Sequence, residues 1–99
     1  MKIVVAAATN QEVEPLRVYL SERLYLKTHH KISLLITGLG LLNTAYSLTR
    51  HIYRDRPDLA IQAGIAGSFS PLYPPKSVVV VKEEIVADMG VLENEEWKD

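Results

Sequence analysis

Met1–Arg17 reads MKIVVAAATNQEVEPLR, and it carries two periodicities back to back. From Lys2 to Ala8 the residues are apolar and valine-rich without alternation, the pattern of a strand covered on both faces. From Asn10 to Arg23, apolar residues recur at helical spacing, at Val13, Leu16 and Leu20, with Leu24 next in the series. Pro15 is expected in the first turn, where a missing N–H costs little. Between the two stand Thr9 and Glu12, in the Thr-x-x-Glu spacing of a capping box. Glu12 is therefore either a helix cap or a base placed at the mouth of a strand-to-helix turn.

Working outward, Leu24–Lys27 and Ile32–Thr37 read as two further strands, joined by the THHK turn as a hairpin. Gly38-Leu39-Gly40 follows, and Leu41–Tyr53 is helical, with Leu41, Ala45, Leu48 and Ile52 on one face. RDRPD at 54–58 ends that helix, since proline disfavours helix in the residue before it. Leu59–Ala63 is a short strand, and GIAGSFSP and PLYPP are loops. Ser77–Val81 is a strand candidate that runs on toward Ile85, and Glu93–Asp99 reads as a solvated acidic stretch. The order β-α-β-β-α-β-loop-β predicts an α/β fold, a mainly parallel or mixed sheet flanked by helices. Ligands of such sheets bind at the carboxyl ends of strands. Three loops fall at such ends: Ala8–Glu12, Gly38–Gly40 and Gly64–Ser68.

Composition narrows the class. The 99 residues make one domain, 47% hydrophobic and 23% charged, which is ordinary globular composition. A net charge of -1 favours neither nucleic acid nor an anionic membrane as partner. With no cysteine, disulfides and thiolate metal sites are impossible. No apolar run approaches the roughly 20 residues of a membrane span, and TNQE stands where a signal peptide would need its cleavage site. The expected setting is the cytoplasm.

Several motifs have ordinary readings. Gly38-Leu39-Gly40 lacks the third glycine of a dinucleotide fingerprint, since Asn43 holds that place. It reads as a tight turn. Gly64-Ile65-Ala66-Gly67-Ser68 is not a phosphate loop, because no Gly-Lys-Ser/Thr follows. It is a glycine turn or a backbone shelf for a flat ligand. His29, His30 and His51 do not have metal-ligand spacing, and neither metal nor cofactor is expected.

Taken in order, MKIVVAAATNQEVEPLR, ITGLGLLNTAYSLT, PDLAIQAGIAGSF and VVVVKEEIVADMGV resemble the nucleoside phosphorylase and nucleosidase superfamily. GIAGSF and ADMGV are most similar to the futalosine hydrolases, which split hypoxanthine from futalosine in menaquinone biosynthesis. The resemblance covers nearly all of the chain but about the first half of a family member. It implies a partial nucleoside phosphorylase-like fold, with residues 1–99 as the N-terminal half of one α/β domain. By the same resemblance the substrate is a purine nucleoside, no cofactor is needed and the protein is a homo-oligomer.

Residue by residue, Glu12 matches the glutamate that activates water, and Ala66 and Gly67 match positions flanking base and sugar. Phosphorylases resemble this pattern with an arginine and a serine or threonine where this chain has Gln62 and Ile65. A glutamine has no charge and an isoleucine side chain no donor, so phosphate would be poorly held and water is the expected nucleophile. Ile65 also departs from the methylthioadenosine nucleosidases, and is counted with Ala66 and Gly67 as lining the substrate. The family's general acid and its ribose-gripping glutamate lie in the second half, and Asp88 is not promoted to that acid. Residues 1–99 alone are therefore expected to be inactive. Sibling readings are a methylthioadenosine/adenosylhomocysteine nucleosidase or a phosphorylase. A non-catalytic α/β module that binds nucleosides or self-associates is the alternative from another class. Without ligand, Glu12 is expected to turn back on Thr9.

Overall fold

The computed structural model describes residues 1–22, 29–86, 90–93 and 96–98. They fall into two compact units, Met1–Gly67 and Ser68–Asp99. The first is a small α/β unit: β1 (Lys2–Ala7), α1 (Asn10–Glu22), β2 (Lys31–Ile36), α2 (Gly40–Asp55) and β3 (Leu59–Gln62). Its sheet has the order β2-β1-β3, and both pairings are parallel.

β1 is central because its sequence lets both faces be covered. Val4 and Val5 point to opposite faces of a strand, yet both are buried, as are Ala6 and Ala7. Right-handed crossovers in a β2-β1-β3 order send α1 and α2 to opposite faces, which accounts for this two-sided burial. Val13 of α1 is buried as fully as Val4. The register runs Lys2 to Lys31 through Ala7 to Ile36, and Ile3 to Leu59 through Ala6 to Gln62. Thr37 N–H and Ala63 N–H extend the two ladders onto the Ala7 and Ala6 carbonyls, at 2.9 and 2.8 Å.

The amino edge of the sheet is clamped. Lys2 N–H donates to Asp58 Oδ2 and Asp58 N–H donates to the Lys2 carbonyl, both at 2.7 Å. Lys2 Nζ donates to the Asp55 carbonyl at 2.9 Å and lies 3.4 Å from Asp55 Oδ1. α2 is capped by Arg56, whose N–H makes the last helical bond to the Ile52 carbonyl at 2.9 Å and whose left-handed φ of 47° turns the chain out of the helix.

Some expectations require correction. Pro15 lies inside α1 rather than in its first turn, since the helix starts at Asn10. The helix therefore forgoes one interior hydrogen bond there. Lys31, assigned to a turn, already belongs to β2, and β2 pairs parallel with β1. The proposed strand Leu24–Lys27, and with it the hairpin, lies outside the described residues. Residues 77–86 are not a strand: no ladder bond reaches 78–86 among the described residues. High β propensity in the valine run does not make a strand without a partner ladder. The sequence pattern places no strand near the acidic end, whereas β4 (Val91–Glu93) and β5 (Glu96–Lys98) pair antiparallel, with Trp97 opposite Leu92.

Because the core is concentrated on β1, stability is expected to be uneven. Val4→Ala should cost about 2 kcal/mol, whereas Val18→Ala, at 46% exposure, should stay within about 0.5 kcal/mol. Urea unfolding of the two variants measures the difference.

Candidate functional site

The parallel sheet brings three strand ends to one edge, and Glu12 stands there. Its carboxylate bridges two segments far apart in sequence. Oε2 accepts from the Thr9 N–H at 3.0 Å, and Oε1 accepts from the Ile65 N–H at 3.4 Å across 53 residues. The first bond is half of a capping box, in which the glutamate reaches back to the N-cap backbone. The second ties the turn after β1 to the loop after β3. Glu12 therefore turns back on Thr9 and also faces the 64–67 loop.

The Thr9 backbone N–H holds the Glu12 carboxyl below the usual glutamate range. Desolvation opposes this, and the Ile65 N–H, Thr9 hydroxyl and Ala8 N–H add to the lowering. Glu12 is thus a carboxylate at neutral pH. Each carboxylate oxygen has two lone-pair sites, so two bonds leave room for a water or a hydroxyl donor.

Ile65, Ala66 and Gly67 form an exposed run beside the carboxylate, with the Ile65 side chain 87% exposed. A Cβ on Gly64 would lie 3.6 Å from Glu12 Oε1, an ordinary contact, and one on Gly67 would meet nothing within 4 Å. This run is an open backbone shelf, and the only one of its N–H groups joined to Glu12 among the described residues is that of Ile65.

The Gly38–Gly40 loop occupies the same edge, but β1 lies between it and β3. Gly38 and Gly40 have φ of 84° and 87°, which explains both glycines as turn residues. Sequence reasoning missed what anchors this loop. Buried Thr37 Oγ1 lies 3.3 Å from the Ala7 carbonyl, 3.0 Å from the Gly38 carbonyl and 3.4 Å from Thr44 Oγ1. Ser47 Oγ donates to the Thr37 carbonyl at 3.1 Å. The available signal was a threonine ending an otherwise apolar strand, where a hydroxyl must find partners.

The histidines lie elsewhere. The Met1 ammonium donates to the His29 carbonyl at 3.0 Å, and His51 Nε2 lies 3.5 Å from Asp55 Oδ2 on α2. No cluster of His, Asp and Glu suited to a metal occurs among the described residues, and none of their helices is long and apolar enough to cross a membrane. Asp88 lies outside the described residues.

A depressed carboxyl pKa contributes stability that is full above the unfolded-state value and is lost as pH falls through the folded-state value. The gap in Tm between the native chain and Glu12→Gln should therefore narrow as pH drops from about 6 to about 3. A gap independent of pH would remove the carboxylate from this role. Gly38→Ala should cost about 1–2 kcal/mol, because an L-residue is strained at that φ; Gly67→Ala should leave chemical denaturation unchanged. Against family models, curated proteins and solved structures, the chain has no match.

Proposed function

We propose that residues 1–99 form the N-terminal half of a purine-nucleoside N-ribosyl hydrolase of the futalosine hydrolase kind, with a partial nucleoside phosphorylase-like fold. The observation that carries this reading is Glu12 at the carboxyl edge, fixed between the Thr9 and Ile65 backbone N–H groups. It sets an ionised carboxylate beside an exposed loop whose backbone is open at Gly67, a pairing suited to hydrolysis of an N-glycosidic bond.

In the proposed reaction, the C1′–N9 bond breaks with its electron pair going to the purine, leaving an oxocarbenium-like ribose. Water adds to C1′ and loses a proton. A carboxylate with a lowered pKa is a weak base for bulk water. Its first contribution is to orient the water and place negative charge near the cationic sugar. Proton transfer to Glu12 follows as the attacking water becomes acidic. The departing purine takes a proton from a general acid outside residues 1–99, where the ribose-holding glutamate is also placed. Ile65, Ala66 and Gly67 would face base and sugar.

Water is favoured over phosphate by the site itself. The Ile65 N–H is engaged by Glu12, the neighbouring charge is negative, and no side-chain cation stands at Gln62 or Ile65. An anion would meet repulsion where a phosphorylase needs donors. A second reading has direct geometric support: the 3.0 Å bond to Thr9 is what a pure helix cap would make.

One assay separates these readings. The full polypeptide encoded by the gene is expected to release hypoxanthine from futalosine at a rate indifferent to phosphate, while residues 1–99 alone release none. Glu12→Gln should lower kcat by about 10²–10⁴-fold with folding retained, since glutamine still serves in a capping box. Turnover within a few-fold of native makes Glu12 a cap only. Phosphate-dependent release of the base makes the protein a phosphorylase, and methylthioadenosine as the preferred substrate makes it the sibling nucleosidase.

A further inference from the structure

α2 is mounted with its apolar side outward. Its half-buried residues are Thr44, Ser47, Leu48, His51 and Asp55. At 3.6 residues per turn these share one face, and four of the five are polar. That face bonds to Thr37 through Thr44 and Ser47, and to Lys2 through Asp55. On the opposite face Leu42, Tyr46 and Tyr53 are 84%, 64% and 76% exposed. With Thr49 they are spaced by four, three and four, the spacing of a helix–helix seam. No residue of α2 is fully buried.

Charge gives this seam a direction. Arg50 and Arg54 are one turn apart on one flank, and the Arg56 guanidinium lies 5.9 Å from the centre of the Tyr53 ring. The ion pairs of the described residues are Lys2–Asp55, Arg17–Glu14 and His51–Asp55, so none of these three arginines has a carboxylate partner among them. A shallow depression of about 510 Å³ opens along the same stretch, lined by Thr49, Ile52, Tyr53, Arg56 and Pro57.

We propose that the outer face of α2 docks an acidic amphipathic helix of a partner protein. Its apolar side would lie on Leu42, Tyr46 and Tyr53, and its carboxylates on Arg50 and Arg54. A second copy fits less well, because the only acidic residue of α2 is Asp55, which faces inward. A lipid surface fits less well too. Binding to a bilayer interface scales with the apolar area buried, and this face offers Leu42, Tyr46 and Tyr53 around the polar Thr49. The inference does not use the chemistry assigned to Glu12, but if residues 1–99 are half of a domain the other half is a rival occupant. A glutamate peptide bound by residues 1–99 and not by the full polypeptide would assign the face to that half and overturn the proposal.

The test uses two labelled synthetic amphipathic helices, one with leucines on one face and glutamates along a flank, the other its lysine-for-glutamate twin. Fluorescence anisotropy with the native chain is expected to show micromolar binding of the glutamate peptide, roughly tenfold tighter than its twin and weakened by salt. Arg50→Glu/Arg54→Glu should invert the preference, and Tyr53→Ala should weaken both peptides. All three positions are exposed, and circular dichroism verifies folding of the variants. Equal binding of the twins, or no binding of either, overturns the proposal. So does a concentration-dependent dimer abolished by Tyr53→Ala, which would assign the face to a second copy. Tighter binding to phosphatidylserine vesicles than to the glutamate peptide would assign it to a membrane.

Discussion

The described part of the first unit depends on a single strand being wet on neither side. β1 is the one element with a neighbour on each edge, and its Val4–Ala7 segment is buried throughout. A strand covered on both faces must be apolar at successive positions, and KIVVAA is. Its two parallel partners run in the same direction, so their carboxyl ends gather at one edge. The link between Glu12 and the 64–67 loop follows from that convergence. Glu12 and Ile65 meet because the turn after β1 and the loop after β3 leave the sheet side by side.

In the proposed reading one carboxylate would serve both folding and chemistry. Its backbone bonds keep it ionised, and they also immobilise it. A general base gains from a pKa nearer the working pH, while a cap gains from the reverse. Under that reading the two bonds use only part of the carboxylate's accepting capacity, which would let the side chain orient a third donor without leaving the first two.

How legible this was depended on the range of each interaction. β1, α1, α2 and β3 follow from local periodicity and end within two residues of where the sequence places them. The Thr9–Glu12 bond was legible as a spacing of three. The Glu12–Ile65 bond was not, because it depends on the register of two strands and a separation of 53 residues. The valine run at 78–81 misled because propensity is a local quantity and ladder formation is not. β4 and β5 were hidden for the opposite reason: VLE and EWK are too short and too charged to stand out. The outward mounting of α2 was also beyond reach. Leu41, Ala45, Leu48 and Ile52 do share a face, but only Leu48 of them is half-buried. Thr44, Ser47 and Asp55, tied by hydrogen bonds to Thr37 and Lys2, set the rotation instead.

The reciprocal 2.7 Å bonds between Lys2 and Asp58 fix the alignment of β3 on β1 at the end of the sheet farthest from Glu12. This separates two inheritable traits along the strand axis. Strand alignment is specified at one end, and the loop that carries the Glu12–Ile65 bond leaves the sheet at the other. Substitutions, or even an inserted residue, within 63–67 leave the Lys2–Asp58 pairing untouched. A fold organised this way is evolvable: a loop at that edge can change its sequence without disturbing the bonds that align β3 on β1.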